Sequence, residues 1–414
     1  MFSLIKFEFK KLAKKRTNII TVLVSVIVTI IIFSLPTMRF EYTDTKGNDY
    51  KGLKAIALQK ENVKERSIKM TEDRVTKDIK EYQRLFSKPE NIIKADNGET
   101  YFKNNVFRRY VYPKSDYFYM ISQNYNKPGE YSDDSNLRRI NLQNGAKFYE
   151  SRNNKISTLL NMNHEGGNYS AQEKTFWFNK SSKIQEPYTY GYYEGWSSIL
   201  SVLGSLIFVL LAICITVAPV FAGEYQRRVD VIILASKYGK TKVITAKIIA
   251  AFAFATMVFL LNVIFVVAIP LLSFGIEGWN LPMQIDNIII PYTVTFASGT
   301  FICIATAYAV MLGMVSFTLL LSAKFKTPFT VLIIDVIILF VSLFMEQGAD
   351  NGLFNHILYL LPYKSLDGAF RYYLSYPFGG LTISLILMRI VVYGTMTIIF
   401  LPFIRNAFRK HQVQ

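Results

Sequence analysis

Six long apolar runs constrain this chain more than any other feature, because each is long enough to cross a membrane as a helix. Crossing the hydrocarbon of a bilayer takes roughly 17 to 25 apolar residues per helix. We therefore predict a polytopic α-helical membrane protein with six transmembrane helices. Their predicted positions are 17–36, 196–222, 243–270, 295–322, 328–344 and 381–403.

The first run follows a basic segment, 1–16, and so resembles the start of a secretory signal. The run is longer than the core of a usual signal, and Ser34 to Thr37 offer no Ala-x-Ala-like cleavage site. We expect an uncleaved first span, preceded by an amphipathic helix over 1–16 that lies on the cytoplasmic surface.

The lysines and arginines near the spans predict the orientation. If the spans alternate in direction, 17 of these residues share one side, and only Lys364 and Arg371 lie in the short loops on the other side. Basic residues are retained on the cytoplasmic side, so both termini, including the tail 404–414, are predicted to be cytoplasmic. This distribution explains the net charge of +17 without nucleic acid, and we expect no nucleic-acid partner.

The polar segment 37–195 is then predicted to form an extracellular domain of mixed α/β structure. Thr71 is typical of a helix N-cap, and Val75, Ile79 and Tyr82 follow at helical spacing. The closely spaced aromatic residues of 101–119 favour short strands or an irregular aromatic core.

Enzyme chemistry has no clear sequence signal here. The three histidines, His164, His356 and His411, are far apart, and both cysteines lie inside apolar runs, so we predict no metal site and no catalytic residue. Gly239-Lys240-Thr241 imitates the end of a phosphate-binding loop, but Leu234 stands where that loop needs glycine. We expect no cofactor in this chain and no ATP hydrolysis by it.

Two charged residues fall within predicted spans, Asp335 in the fifth and Arg389 in the sixth. A charge at lipid depth costs about 2.5 to 3.5 kcal/mol on insertion scales, so each is expected to find a partner. Their similar depth on adjacent antiparallel spans predicts that they pair. The pair would either hold the two spans together or line a substrate path.

The segment 223–242, between the second and third spans, begins with polar residues, continues with an apolar stretch, and ends in a predicted turn at Ser236 to Gly239. This order predicts a short helix along the membrane surface. Such a helix is either an ordinary interfacial one or a docking surface.

This layout resembles the permease subunits of ABC transporters of the ABC-2 exporter class. In that family the loop after the second span carries a glutamate, polar residues, an apolar stretch and a turn with a basic residue, and a lysine opens the third span. The family's usual proline in the turn is replaced here by Lys237 or Tyr238. The helix at 1–16 is similar to the family's interfacial connecting helix, and 345–380 resembles its re-entrant outer segment. The matching positions are Glu224, Arg227, Arg228, Ile232 to Leu234, Ser236 to Gly239, and Lys247.

The resemblance implies that the 223–242 segment is a coupling helix that docks on a separate ATPase. It also implies two copies of that ATP-binding subunit, which hold the ATP and Mg, and a second permease that is either an identical copy or a paralogue. The docking residues implied are Glu224, Tyr225, Arg227, Arg228, Ser236, Lys237, Tyr238 and Gly239.

The large insertion at 37–195 is similar to a subgroup common in low-GC Gram-positive bacteria, whose external domain opens on a segment like 52–58. Several relatives of this type serve export of, or self-protection against, antimicrobial peptides, so the resemblance implies a peptide-like substrate. A rival hypothesis is a membrane-anchored sensor or envelope scaffold whose external domain binds a ligand. An integral membrane transferase is disfavoured because the outer segments show no clustered acidic pair or histidine-rich site.

Overall fold

The computed structural model describes residues 1–64, 67–96, 98–128 and 133–409, and these residues are mostly helical. Two helices open the chain, α1 (Phe2–Lys14) and α2 (Arg16–Arg39). Helix α1 occupies most of the predicted amphipathic segment. Residues 410–414 of the predicted tail lie outside the described residues.

The polar segment 37–195 combines short helices with two-stranded antiparallel sheets, in which β1 pairs with β2, β3 with β6 and β4 with β5. Its strands are β1 (Glu41–Thr43), β2 (Asp49–Lys51), β3 (Ile68–Lys69), β4 (Ile92–Lys94), β5 (Thr100–Phe102) and β6 (Thr189–Tyr190). Its helices are α3 (Gly52–Lys64), α4 (Glu72–Phe86), α5 (Asn104–Val106), α6 (Ser115–Tyr125), α7 (Phe148–Asn161) and α8 (Ala171–Ser181).

Helix α4 confirms the predicted N-cap, since the Thr71 side chain accepts a hydrogen bond from the Arg74 amide. The Glu72 carboxylate at the start of this helix accepts from the backbone amides of Phe148 and Tyr149, at 2.8 and 2.9 Å. These two amides open α7, so one acidic side chain aligns two helix N-termini.

The aromatic stretch 101–119 differs from the prediction. Only β5 is a strand there, and most of the remainder is helical. The physical reason is packing: Tyr117, Phe118 and Ile121 are all buried from one face of α6. Apolar residues at i, i+1 and i+4 lie on one face of a helix, so this spacing is compatible with a buried helix as well as with a strand.

Among the described residues, five helices are long and apolar enough to cross a membrane: Arg16–Arg39, Glu194–Gln226, Gly239–Phe274, Phe296–Lys324 and Leu385–Arg409. The second is built from α9 (Glu194–Val202), α10 (Ile207–Val217) and α11 (Pro219–Gln226), and a short helix, α12 (Asp230–Ala235), follows it. The third contains α13 (Ile244–Phe274), and the fourth is α14 (Phe296–Lys324).

The predicted span at 328–344 is shorter than the others. It consists of α15 (Pro328–Phe340) and a 3₁₀ turn at Val341–Leu343. At 1.5 Å per residue this helix is about 24 Å long, whereas the hydrocarbon is about 30 Å thick. The count of six spans therefore stays a prediction.

The chain after α15 forms two short helices, α16 (Leu353–Leu358) and α17 (Pro362–Ser365), and a hairpin of β7 (Ser375–Phe378) and β8 (Leu381–Ser384). The last helix, α18, runs over Leu385–Arg409 and not over the predicted 381–403. Its start is delayed because β8 is held in the hairpin, where its backbone groups pair with β7.

The polar segment and the long helices share one continuous apolar core. Trp177 of α8 is fully buried and contacts the rings of Tyr292 and Tyr373, 5.8 and 5.1 Å away. Beside it, Arg152 of α7 donates to the backbone carbonyls of Ile288 and Ile290. The segment is thus fixed to the loops that precede α14 and α18.

Candidate functional site

The segment between the second and third long helices begins with a tight helix end. The amide of Arg228 donates to the Tyr225 carbonyl and the amide of Val229 donates to the Glu224 carbonyl, both at 3.0 Å. This is the Schellman arrangement, and it requires a left-handed residue, here Arg228 with φ of 57°. The turn directs the following helix, α12, away from the axis of α11.

Helix α12 presents an exposed apolar face. Ile232 is 71% exposed and Val231 is 42% exposed, whereas Leu234 is buried. The helix ends at a turn in which the Gly239 amide donates to the Ser236 carbonyl at 3.1 Å. The predicted short helix and its turn are confirmed in position.

Gly239 is required by the close approach of this turn to α12. A Cβ atom at this position would lie 1.6 Å from the carbonyl oxygen of Ile233. No side chain fits that gap, so the backbone of the turn packs directly on the helix. The exposed Tyr238 ring beside it has the ammonium groups of Lys237 and Lys242 at 5.6 and 4.5 Å from its centre.

We call the exposed part of residues 227–240 the docking segment. It carries apolar and cationic side chains side by side, as a surface for an acidic and apolar partner would. Its exposed members are Arg227, Arg228, Val231, Ile232, Ala235, Ser236, Lys237, Tyr238 and Lys240.

Glu224 and Tyr225, two of the predicted docking residues, point inward. The Tyr225 hydroxyl donates to the Ala323 carbonyl at 2.9 Å, and its ring stacks on Phe408 of α18. Glu224 is buried among charged side chains. The sequence pattern grouped them with the exposed residues because they are close along the chain, yet the Schellman turn separates the two sets.

Glu224 belongs to a network of two acidic and two basic side chains, which we call the ion network. Lys247 of α13 lies 2.8 Å from a Glu224 carboxylate oxygen and 3.1 Å from a Glu8 oxygen. Lys11 of α1 contacts the same oxygen of Glu224. The Lys247 side chain is 2% exposed, so its charge is matched inside the protein.

The ion network joins α1, α11 and α13 at the end of the helices that carries the docking segment. A cavity of about 60 Å³ adjoins it, lined in part by Lys15 and Arg227. Burial, followed by the charges of Arg227 and Lys11, lowers the pKa of Lys15. Positive charge is therefore concentrated where the docking segment leaves α11.

A proline break in the second long helix is also repaired at this end. Pro219 opens α11, and the freed amides of Phe221 and Ala222 donate to the hydroxyl of Ser322, at 3.0 and 2.9 Å. The same hydroxyl donates to the Ala218 carbonyl. Ser322 of α14 thus satisfies three backbone groups that a proline in lipid leaves without partners.

The predicted ion pair of Asp335 with Arg389 is corrected by the structure. Arg389 donates to the backbone carbonyls of Tyr359, Lys364 and Asp367, at 3.0, 2.6 and 2.7 Å. Asp335 accepts instead from the Thr318 hydroxyl, at 3.0 Å. The carbonyls at the ends of α16 and α17 form a compact group of acceptors, which satisfies a guanidinium without a carboxylate.

Sequence reasoning missed Glu8 and Lys11 as members of the ion network. Glu8 is the single acidic residue in the basic segment 1–16, and this was the signal available. In the part of the chain that the structure describes, no group of three metal-ligating side chains occurs.

These features define a polytopic helical membrane protein whose bundle ends, on one face, in a short exposed helix tied to an ion network. A family model described as "ABC-2 family transporter protein" matches residues 2–366, and the chain belongs to this family. It is therefore a transmembrane subunit of an ABC transporter, a class that works with a separate ATP-binding subunit. No curated protein and no solved structure matched the chain.

Proposed function

We propose that the chain is the permease of an ATP-driven exporter and that the docking segment seats in a groove of the ATP-binding subunit. The observation that carries this proposal is the exposed α12 face, where Val231 and Ile232 stand free of the bundle beside Arg227 and Arg228. Apolar side chains exposed at the end of a long helix, rimmed by cations, suit a protein groove with an acidic edge.

Movement of the partner would reach the bundle through the ion network. The docking segment continues directly from α11, whose Glu224 binds both Lys11 and Lys247. A displacement of α12 is therefore transmitted to α1, α11 and α13 together. Nucleotide can shift the bundle only if its two arrangements differ in affinity for the ATP-closed partner, and the ion network supplies contacts that such a shift would alter.

The proposed assembly contains two ATP-binding subunits, which hold ATP and Mg, and a second permease copy or a paralogue. The docking segment and both termini face the cytoplasm, and the polar segment 37–195 lies outside the cell. The segregation of basic residues in the sequence supports this orientation.

The substrate we propose is a peptide or another amphipathic molecule, in export or self-protection in a Gram-positive cell. Support comes from the resemblance of the large insertion to transporters of antimicrobial peptides. The test is peptide sensitivity of cells that express the permease with its ATPase. We expect them to tolerate more antimicrobial peptide than cells that express the ATPase without the permease, and equal tolerance would refute a peptide substrate.

Docking is tested by co-purification with the ATP-binding subunit of this transporter. Ile232→Asp places a charge on the exposed α12 face, and Ile93→Asp is a matched control, since Ile93 is a 48% exposed isoleucine of β4. We expect Ile232→Asp to lose the ATPase while Ile93→Asp retains it. Equal retention by both variants would exclude α12 as the docking element and favour a sensor or scaffold.

A further inference from the structure

An open groove runs between α13 and α18, with α14 as its floor. Two adjoining cavities of about 510 and 410 Å³ share Ile248, Ile249 and Leu401, so they form one continuous groove. We call it the α13–α18 groove. It opens at the end of the bundle that carries the docking segment, because Phe408 near its mouth stacks on Tyr225 of α11.

The groove exists because α18 packs along α14 and scarcely touches α13. Pro402 lies inside α18 and lines the groove, and a proline within a helix removes a backbone hydrogen bond and bends the axis. Ala253 on the facing side of α13 is small, which leaves the space unfilled.

Two cations stand at the mouth of the groove. Arg405 and Arg409 are exposed and lie one helical turn apart on α18, so both guanidinium groups face the same opening. Within the described ranges, neither arginine forms an ion pair with an acidic residue. Guanidinium groups bind phosphate oxygens in a bidentate manner, so this pair suits a phosphate.

The deeper part of the groove offers an occupant no unsatisfied hydroxyl. The Thr256 and Tyr308 hydroxyls bond to each other at 3.1 Å, and the Thr397 hydroxyl donates to the Tyr393 carbonyl at 2.8 Å. The remaining lining there is apolar, with Ile249 and Leu401 prominent. An aliphatic chain suits this part of the groove.

The length of the groove matches one leaflet of a bilayer. Thr397 and Arg409 bound it on α18 and are separated by about 18 Å along the helix. One leaflet of hydrocarbon is about 15 Å thick. The arginines therefore lie at the level of the headgroups when the groove spans the acyl region.

We infer that the α13–α18 groove binds one anionic phospholipid of the leaflet on the docking-segment side. Arg405 and Arg409 hold its phosphate, and one acyl chain lies along Ile249 and Leu401 towards Thr256. The charge at the mouth selects anionic over zwitterionic headgroups, since each basic residue near an anionic lipid strengthens binding about fivefold.

The test is lipid retention by the purified full chain, measured by native mass spectrometry from micelles that contain phosphatidylglycerol or phosphatidylcholine. We expect the wild type to retain one phosphatidylglycerol about 25-fold more tightly than phosphatidylcholine, and Arg405→Gln with Arg409→Gln to abolish that preference. Ala253→Trp fills the groove and is expected to reduce retention of both lipids.

The matched control removes two exposed cations at the same end of α14, Lys324→Gln with Lys326→Gln, which do not line the groove. This variant is expected to keep the preference. Equal retention of the two lipids by the wild type would overturn the inference, and so would equal loss in the control and arginine variants. A change in dimer fraction without a change in lipid retention for Ala253→Trp would assign the groove to a second copy of the chain and also overturn it.

Discussion

The ion network predicts that Lys247→Met lowers the free energy of unfolding. This change removes a cation that lies 2.8 Å from Glu224 and 3.1 Å from Glu8, at a site where the lysine side chain is 2% exposed. Removing one member of a buried ion pair costs about 3 to 5 kcal/mol, because the remaining charge is left without its partner. Lys11, whose side chain is 45% exposed, still contacts Glu224, so we expect the lower limit, about 3 kcal/mol.

The assay is the free energy of unfolding of the purified chain in mixed micelles, from titration with a denaturing detergent. Lys51→Met is the matched control, because Lys51 pairs with Glu41 in an exposed position. Exposed ion pairs contribute little to stability, so the control should unfold at the wild-type detergent concentration.

A double-mutant cycle separates the network from the individual residues. Glu224→Gln alone leaves Lys247 with Glu8, and the combination Glu224→Gln with Lys247→Met no longer buries an unmatched carboxylate at position 224. We therefore expect the double variant to be more stable than the sum of the two single effects by at least about 1 kcal/mol. Effects that add within about 0.5 kcal/mol would refute the view that these side chains act as one unit.

Three further predictions follow from single contacts. Gly239→Ala should disrupt the turn after α12 and abolish ATPase co-purification, whereas Gly204→Ala, where an added Cβ meets no atom within 4 Å, should be neutral in the same assay. Arg389→Gln should lower the unfolding free energy by about 3 kcal/mol or more, since buried carbonyls lose a charged donor. Asp335→Asn should elute from a sizing column as the wild type does. An equal loss of folded protein in both variants would restore the predicted ion pair. Ser322→Ala should lower the unfolding free energy by about 1 to 3 kcal/mol, because the amides beside Pro219 lose their acceptor, and an unchanged value would contradict that role.

The sequence predicted the long helices well because transfer of apolar side chains into lipid depends on local composition. The runs at 17–36, 196–222 and 243–270 each fall within a helix long enough to span a membrane. Helix α4 was predictable for a similar reason, since its cap and its apolar spacing are local. The 328–344 run was less informative, because composition does not show where a helix gives way to a 3₁₀ turn.

The contacts of the candidate site could not be predicted to the same degree. Lys247 and Glu8 are 239 residues apart, and only the packing of α1 on α13 brings them together. Arg389 binds backbone carbonyls, which every residue possesses and no sequence pattern marks. The separation of Glu224 from the exposed residues that follow it depends on the left-handed Arg228, a conformation that the arginine side chain does not signal in the sequence.

Coupling to an ATPase requires that the docking segment be cytoplasmic, and the proposed orientation then places the polar segment outside. Single-cysteine labelling tests this directly, because the two native cysteines, Cys214 and Cys303, are buried. We predict that a membrane-impermeant maleimide labels an Ile93→Cys variant in intact cells and an Ile232→Cys variant only after the membrane is permeabilised. Labelling of Ile232→Cys in intact cells, with Ile93→Cys protected, would contradict the orientation and with it the proposed coupling to an ATPase.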